Sequence, residues 1–154
     1  MSMTKDITFM DNSKPLLSVQ GLSVEFGESR VVDDLSFTVQ AGRTVAVVGE
    51  SGSGKSVTSL STMRLADMMG ATYPTGKILF ENKDLLKTSQ KEMRSIRGKE
   101  IAMIFQEPMT SLNPVFTIGD QICEVLILHE KLSKQAAMAQ ARSLLDMVRL
   151  PDAA

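Results

Sequence analysis

The apolar positions of this chain change their period several times, and each change marks an element. In residues 16–26 they alternate, as Leu17 and Val19 and then, after a break at Gly21, as Leu22, Val24 and Phe26; Leu35, Phe37 and Val39 repeat the alternation in LSFTVQ. A period of two buries one face of a strand, so both stretches are expected to be half-buried antiparallel strands. After the Ala41-Gly42 turn, Val45-Ala46-Val47-Val48 is instead a continuous apolar run, and Ile101 to Phe105 is a second. Such runs suit parallel strands covered on both faces. Between them come a helical stretch from Lys55 to Met69 stopped by Gly70, a short strand around Ile78 to Phe80, and SQKEMRSIRG. In that last piece Ser89 and Glu92 have capping-box spacing and Gly98 follows as a stop. Strand, helix, strand, helix, strand is the succession of an α/β chain.

Beyond Pro114 the strand signals end. Thr117 and Asp120 are spaced as an N-cap pair, after which Ile118, Ile122, Val125 and Leu126 share one helical face. A second helix is marked by Ala137, Ala141, Leu144, Leu145 and Val148 and stops before Pro151. The first 14 residues mix charge, Asn and Ser without any period and read as a flexible tail.

Composition narrows the function classes. With 17 Lys and Arg against 18 Asp and Glu the net charge is −1. The chain therefore lacks the basic excess that drives binding to a phosphate backbone, which argues against a nucleic-acid partner. A single cysteine, Cys123, excludes an intramolecular disulfide. No secretory leader pattern is present, and the apolar cluster Ile122 to Leu128 is too short to span a bilayer.

The strongest chemical signal is Gly49-Glu50-Ser51-Gly52-Ser53-Gly54-Lys55-Ser56, which satisfies G-x-x-x-x-G-K-[ST] at every fixed position. From average residue usage, a chance match in a chain of this length is on the order of one percent. The loop leaves an apolar run at Val48 and opens a helix, which is the arrangement its chemistry requires. Glycines let successive N–H groups converge on phosphate oxygens, and the helix N-terminus adds positive potential. In this motif Lys55 reaches the β- and γ-phosphates, and the Ser56 hydroxyl ligates Mg²⁺. Gln106 directly follows the second apolar run, so in an open sheet it would share the loop's edge, where a neutral amide can touch Mg²⁺ or its water. Taken alone, a glutamine there is also an ordinary polar strand end.

GESGSGKS, the segment IFQEPMTSLNP and the spacing between them resemble the ATP-binding subunits of ABC transporters, specifically importers of peptides and glutathione. The resemblance runs from about Leu16 to the last residue. It implies a P-loop NTPase lobe with an antiparallel β-subdomain over residues 15–106, and a Q-loop with the start of a helical subdomain over 107–154. It makes Phe26, 23 positions before Gly49, the adenine-stacking aromatic. Gln106 becomes the Q-loop glutamine that senses the γ-phosphate. Implied cofactors are ATP and Mg²⁺. Implied partners are transmembrane permease subunits, engaged through the segment after Gln106, and a second ATP-binding domain or subunit, at the inner face of the plasma membrane.

The chain also departs from that family. It contains no LSGGQ-like signature, no Walker B strand ending in Asp-Glu and no switch histidine, since its one histidine, His129, lies in a helical pattern. No catalytic residue is therefore assigned, and a truncated form is expected. Two alternatives are a small P-loop kinase and a non-catalytic nucleotide-binding fragment. Cys123 and His129, six apart, do not share a helical face, which argues against a metal pair. The basic stretch Lys83, Lys87, Lys91, Arg94, Arg97 and Lys99 is interleaved with acids and reads as a solvated face; Met63, Met68 and Met69 read as core.

Overall fold

The structure is a computed structural model that describes residues 14–105 and 112–150. It divides into two compact units, with the boundary between Met93 and Arg94.

In the first unit, β1 (Leu17–Phe26) and β2 (Ser29–Val39) form a hairpin, and β3 (Ala71–Phe80) and β4 (Lys83–Asp84) complete an antiparallel sheet of order β2-β1-β3-β4. The alternation read from the sequence sets the pairing. Val19 lies opposite Phe37 on β2 and Ile78 on β3, and Val24 lies opposite Val32. Val19, Leu22, Val24 and Ile78 are almost wholly buried. Each such side chain contributes about 1.5–3 kcal/mol through removal from water.

Between Gln20 and Ser23, β1 carries one residue more than β3 does between Lys77 and Thr75, and the extra residue is a bulge at Gly21. The Ser23 hydroxyl, buried at this bulge, accepts hydrogen bonds from the Asp34 N–H at 3.1 Å and the Thr75 hydroxyl at 2.9 Å. It thereby ties the three strands where their ladder is interrupted. The β3–β4 connection is Glu81-Asn82, with φ 48° and 68°, the two positive values of a type I′ turn.

Helix α1 (Lys55–Thr62) is shorter than the periodicity predicts. The chain reverses at Arg64, and a 3₁₀ turn, Ala66–Met69, follows. Met63 is buried as expected, but Met68 and Met69 are exposed on that turn and are not core. The stretch SQKEMRSIRG contains α2 (Gln90–Ile96), and the Ser89 hydroxyl accepts from the Glu92 N–H as its capping spacing predicts. Lys83 pairs with Glu92, and Lys87 lies 3.9 Å from Asp84, so interleaved acids offset part of the basic stretch.

The two expected parallel strands are not formed. Residues 45–48 join no ladder, and Val48 is 77% exposed. Of residues 101–105 only Ile101 makes a bridge, parallel, to Arg97, while Ile104 is 99% exposed. A strand buried on both faces needs hydrogen-bonded neighbours at both edges. The described strands are all committed to the antiparallel sheet, so these runs have no ladder to join.

In the second unit, α3 (Ile118–Glu130) and α4 (Lys134–Met147) form a helical hairpin. Thr117 caps α3 by accepting from the Asp120 N–H, as its spacing predicts, and Ser133 caps α4 in the same way. The core is Cys123, Leu126, Ala137 and Ala141, with Ile122, Leu132 and Met138 packed against it. The small Ala137 and Ala141 let the helix axes approach. The buried seam of α3 thus runs through Cys123 and Leu126, leaving Ile118 and Val125 exposed.

Candidate functional site

The loop from Gly49 runs directly into α1, whose first two residues are Lys55 and Ser56, and its geometry follows from its glycines. Gly54 stands at φ 87°, directly before the helix, and a Cβ there would lie 2.9 Å from the Val31 carbonyl oxygen and 3.0 Å from Val32 Cγ2. Only glycine allows both this left-handed turn and this close approach to β2. The loop thereby rests on the hairpin at a second irregularity. Val24 pairs with Val32 and Glu25 with Arg30, which leaves Val31 as the extra residue on β2. No sequence signal pointed to Val31 or Val32 as the wall behind the loop, because a backbone carbonyl has no residue-type signature.

Lys55 folds back over the loop. Its Nζ donates to the carbonyl oxygens of Gly49 at 2.9 Å and Glu50 at 2.6 Å, and to Ser53 Oγ at 3.4 Å. The Ser53 N–H donates to the Glu50 carbonyl, closing the turn, and the Thr58 N–H and hydroxyl both donate to the Gly54 carbonyl. The ammonium thus sits over the loop's concave side with its charge distributed over polar atoms. Ser51, Gly52 and Ser53 are exposed, as is Ser56 in the first turn of α1. That turn contains no acidic residue, so nothing on the helix offsets the positive end of its dipole.

Phe26 is half-buried at the end of β1, two residues beyond Val24, whose partner Val32 lies beside Gly54. Phe26 thus ends the strand whose hairpin partner, β2, carries Val31 and Val32 beside the loop. Gln106 lies outside the described residues, as do Glu107 to Ser111.

Sequence reasoning missed a polar cluster at the far end of α1. Arg64 donates from Nε and Nη2 to Asp67 Oδ2 at 2.9 and 2.7 Å and from Nη1 to the Thr88 carbonyl. The Tyr73 hydroxyl donates to Asp67 Oδ1 at 2.7 Å. Burial, followed by the bond to the Asp67 carboxylate, pushes the Tyr73 phenol well above its ordinary range. An Arg and an Asp three apart were the available signal, but it is too common to stand out in a charged loop.

Among the described residues no group of three or more His, Cys, Asp or Glu side chains could hold a metal ion, and no helix is long and apolar enough to cross a membrane.

The loop, laid over an antiparallel hairpin and followed by a helix, carries the G-x-x-x-x-G-K-[ST] pattern, and comparison with known families places the chain in one of them. The profile of the ABC transporter family matches residues 32–154, and the chain belongs to that family. It is 51% identical over 140 residues to the oligopeptide transport ATP-binding protein OppD of Bacillus subtilis (strain 168), covering 88% of this chain and 39% of that protein. It is 47% identical over 150 residues to the glutathione import ATP-binding protein GsiA of Salmonella choleraesuis (strain SC-B67), covering 92% of this chain and 24% of that one. Among solved structures, a bacterial Atm1-family ABC exporter with ATP bound aligns with a TM-score of 0.48 and 26% identity, over 75% of this chain and 18% of that one. The chain thus spans between a quarter and two fifths of the length of these curated relatives.

Proposed function

We propose that this chain is the nucleotide-binding part of an ABC importer ATPase that powers uptake of peptides or glutathione. The observation that carries the reading is the loop itself. Gly54 is seated on β2, Lys55 lies over the concave side, and the helix N-terminus behind it is free of acidic side chains. A triphosphate entering there would offer its oxygens to Lys55 and to the N–H groups of the exposed Ser51 and Gly52. Lys55 would exchange its bonds to the Gly49 and Glu50 carbonyls for stronger ones to anionic oxygen.

The residues present suit Mg²⁺. Ser56 is exposed on the first turn of α1, and no described residue is hydrogen-bonded to its hydroxyl, so it can supply one hard oxygen ligand. Mg²⁺ is commonly held this way, by a hydroxyl and substrate phosphates rather than by an all-protein cage. Gln106 is proposed as the second protein contact. When bound, the ion would neutralise developing charge on the phosphates. Phe26 is proposed to stack on adenine, which requires only a flat aromatic face near the loop.

Cargo and partners follow the names of the relatives. A peptide or glutathione importer needs transmembrane permease subunits, proposed to meet the segment after Gln106, and a second ATP-binding domain or subunit. The chain would work at the cytoplasmic face of the membrane, with residues 15–106 as its nucleotide lobe. Titration of Mg-ATP into the wild type and Lys55→Ala by calorimetry tests the core of this reading. Binding by the wild type and at least tenfold weaker binding by Lys55→Ala are expected; equal affinities would refute it.

A further inference from the structure

Helix α1 is only eight residues long, and the structure pins it at both ends. Its loop end is held by the contact of Gly54 with β2. Its other end closes in a Schellman motif, in which the Leu65 N–H donates to the Leu60 carbonyl and the Arg64 N–H to the Ser61 carbonyl. The left-handed position of that motif, normally glycine, is taken by Arg64 at φ 53°. A side chain at such a position is under backbone strain, and strain of this kind persists where the surroundings over-determine it. Here the guanidinium grips Asp67 and the Thr88 carbonyl, and Tyr73 on β3 grips the other oxygen of Asp67. Arg64 and Asp67 are each about four-fifths buried.

We propose that Arg64, acting through Asp67 and Tyr73, is a positioning residue for the phosphate loop, holding the far end of α1 against β3 and the Thr88 turn so that the loop's donors keep their bearing. The lever is short. At about 1.5 Å per residue the helix is about 12 Å long, so a tilt of about 5° about the clasp moves the first turn by about 1 Å. A displacement of that size takes an N–H···O bond out of its useful range. The inference rests on the proposal that the loop binds a nucleotide, and it assigns a role to side chains that touch no phosphate.

The test is calorimetric titration of Mg-ATP and Mg-tripolyphosphate into the wild type, Arg64→Gly, Arg64→Lys and Asp67→Asn, with thermal unfolding of each. Arg64→Gly removes the guanidinium while relieving the strained backbone, so the fold is retained and the positional effect is isolated. We expect affinity to fall by about threefold or more, the scale of coupling for residues that do not contact a ligand. Both ligands should lose the same factor, because the defect lies in the phosphate donors, and Arg64→Lys should recover part of it. Wild-type affinity in Arg64→Gly and Asp67→Asn overturns the proposal, whatever happens to their Tm. Should Arg64→Gly fail to fold, Asp67→Asn, which keeps the side-chain shape, decides. Failure of the wild type to bind either ligand would overturn the nucleotide reading itself, an outcome distinct from equal binding by wild type and variants.

Discussion

Replacing Gly76 by alanine isolates the contact on which the β1–β3 pair depends. Gly76 stands at φ 94°, and a Cβ built there falls 2.5 Å from the Gly21 carbonyl oxygen, 2.5 Å from Leu22 Cα and 2.7 Å from the Gly21 carbonyl carbon. All three are backbone atoms, so no rotamer change relieves the clash. The strands must separate where Leu22 and Ile78 are fully buried. Two costs combine. A non-glycine residue in this part of backbone space costs about 1–3 kcal/mol, and overfilling a close-packed contact costs about 1–3 kcal/mol more. The expected total is about 4 kcal/mol, a large share of the ~5–15 kcal/mol that stabilises an ordinary domain. Gly42→Ala is the control, since Gly42 also has a positive φ, 69°, but nothing lies within 4 Å of its added Cβ. Strain alone, about 1 kcal/mol, is expected there. In urea unfolding followed by far-UV circular dichroism, with m near ~2 kcal/mol/M, Gly76→Ala should lower the midpoint by about 2 M and Gly42→Ala by about 0.5 M. Equal shifts would refute the claim that backbone contact, rather than φ, makes glycine necessary at position 76.

An isolated polypeptide of these 154 residues should release phosphate from ATP no faster than background, and Lys55→Ala should leave that rate unchanged, because in-line hydrolysis needs a positioned carboxylate and no segment of these residues reads as a Walker B strand ending in Asp-Glu; lysine-dependent turnover in a phosphate-release assay would contradict this. Val48→Ser should raise the soluble fraction without lowering Tm, since Val48 is 77% exposed and unpaired in any ladder, and light scattering against the wild type would show it. Tyr73, the only tyrosine in a chain without tryptophan, should stay protonated at pH 10, where a free phenol is half ionised; absorbance at 295 nm reads this directly. Because its folded-state pKa is raised, the stabilisation it lends is complete below about pH 10 and is lost as pH climbs towards the folded value. Alkaline unfolding should therefore coincide with its ionisation.

Local order was largely legible in the sequence. The alternation through Leu17, Val19, Leu22 and Val24 specified β1 and its break at Gly21, and Thr117 with Asp120 specified the start of α3, because each signal acts within a few residues. The loop motif was likewise written in residues 49–56, and the family in that motif together with residues 104–114. Residues 45–48 and 101–105 illustrate the opposite case. Their apolar runs state what environment the side chains favour, but a parallel strand exists only when remote segments supply its edges, and among the described residues none does. The seat of Gly54 on the Val31 carbonyl, the approach of Gly76 to Gly21 and the grip of Arg64 on Asp67, Tyr73 and Thr88 were decided by tertiary structure alone. These contacts depend on bulges in β1 and β2 and on a left-handed arginine. Periodicity encodes which face is buried; it carries no record of where a backbone departs from its period.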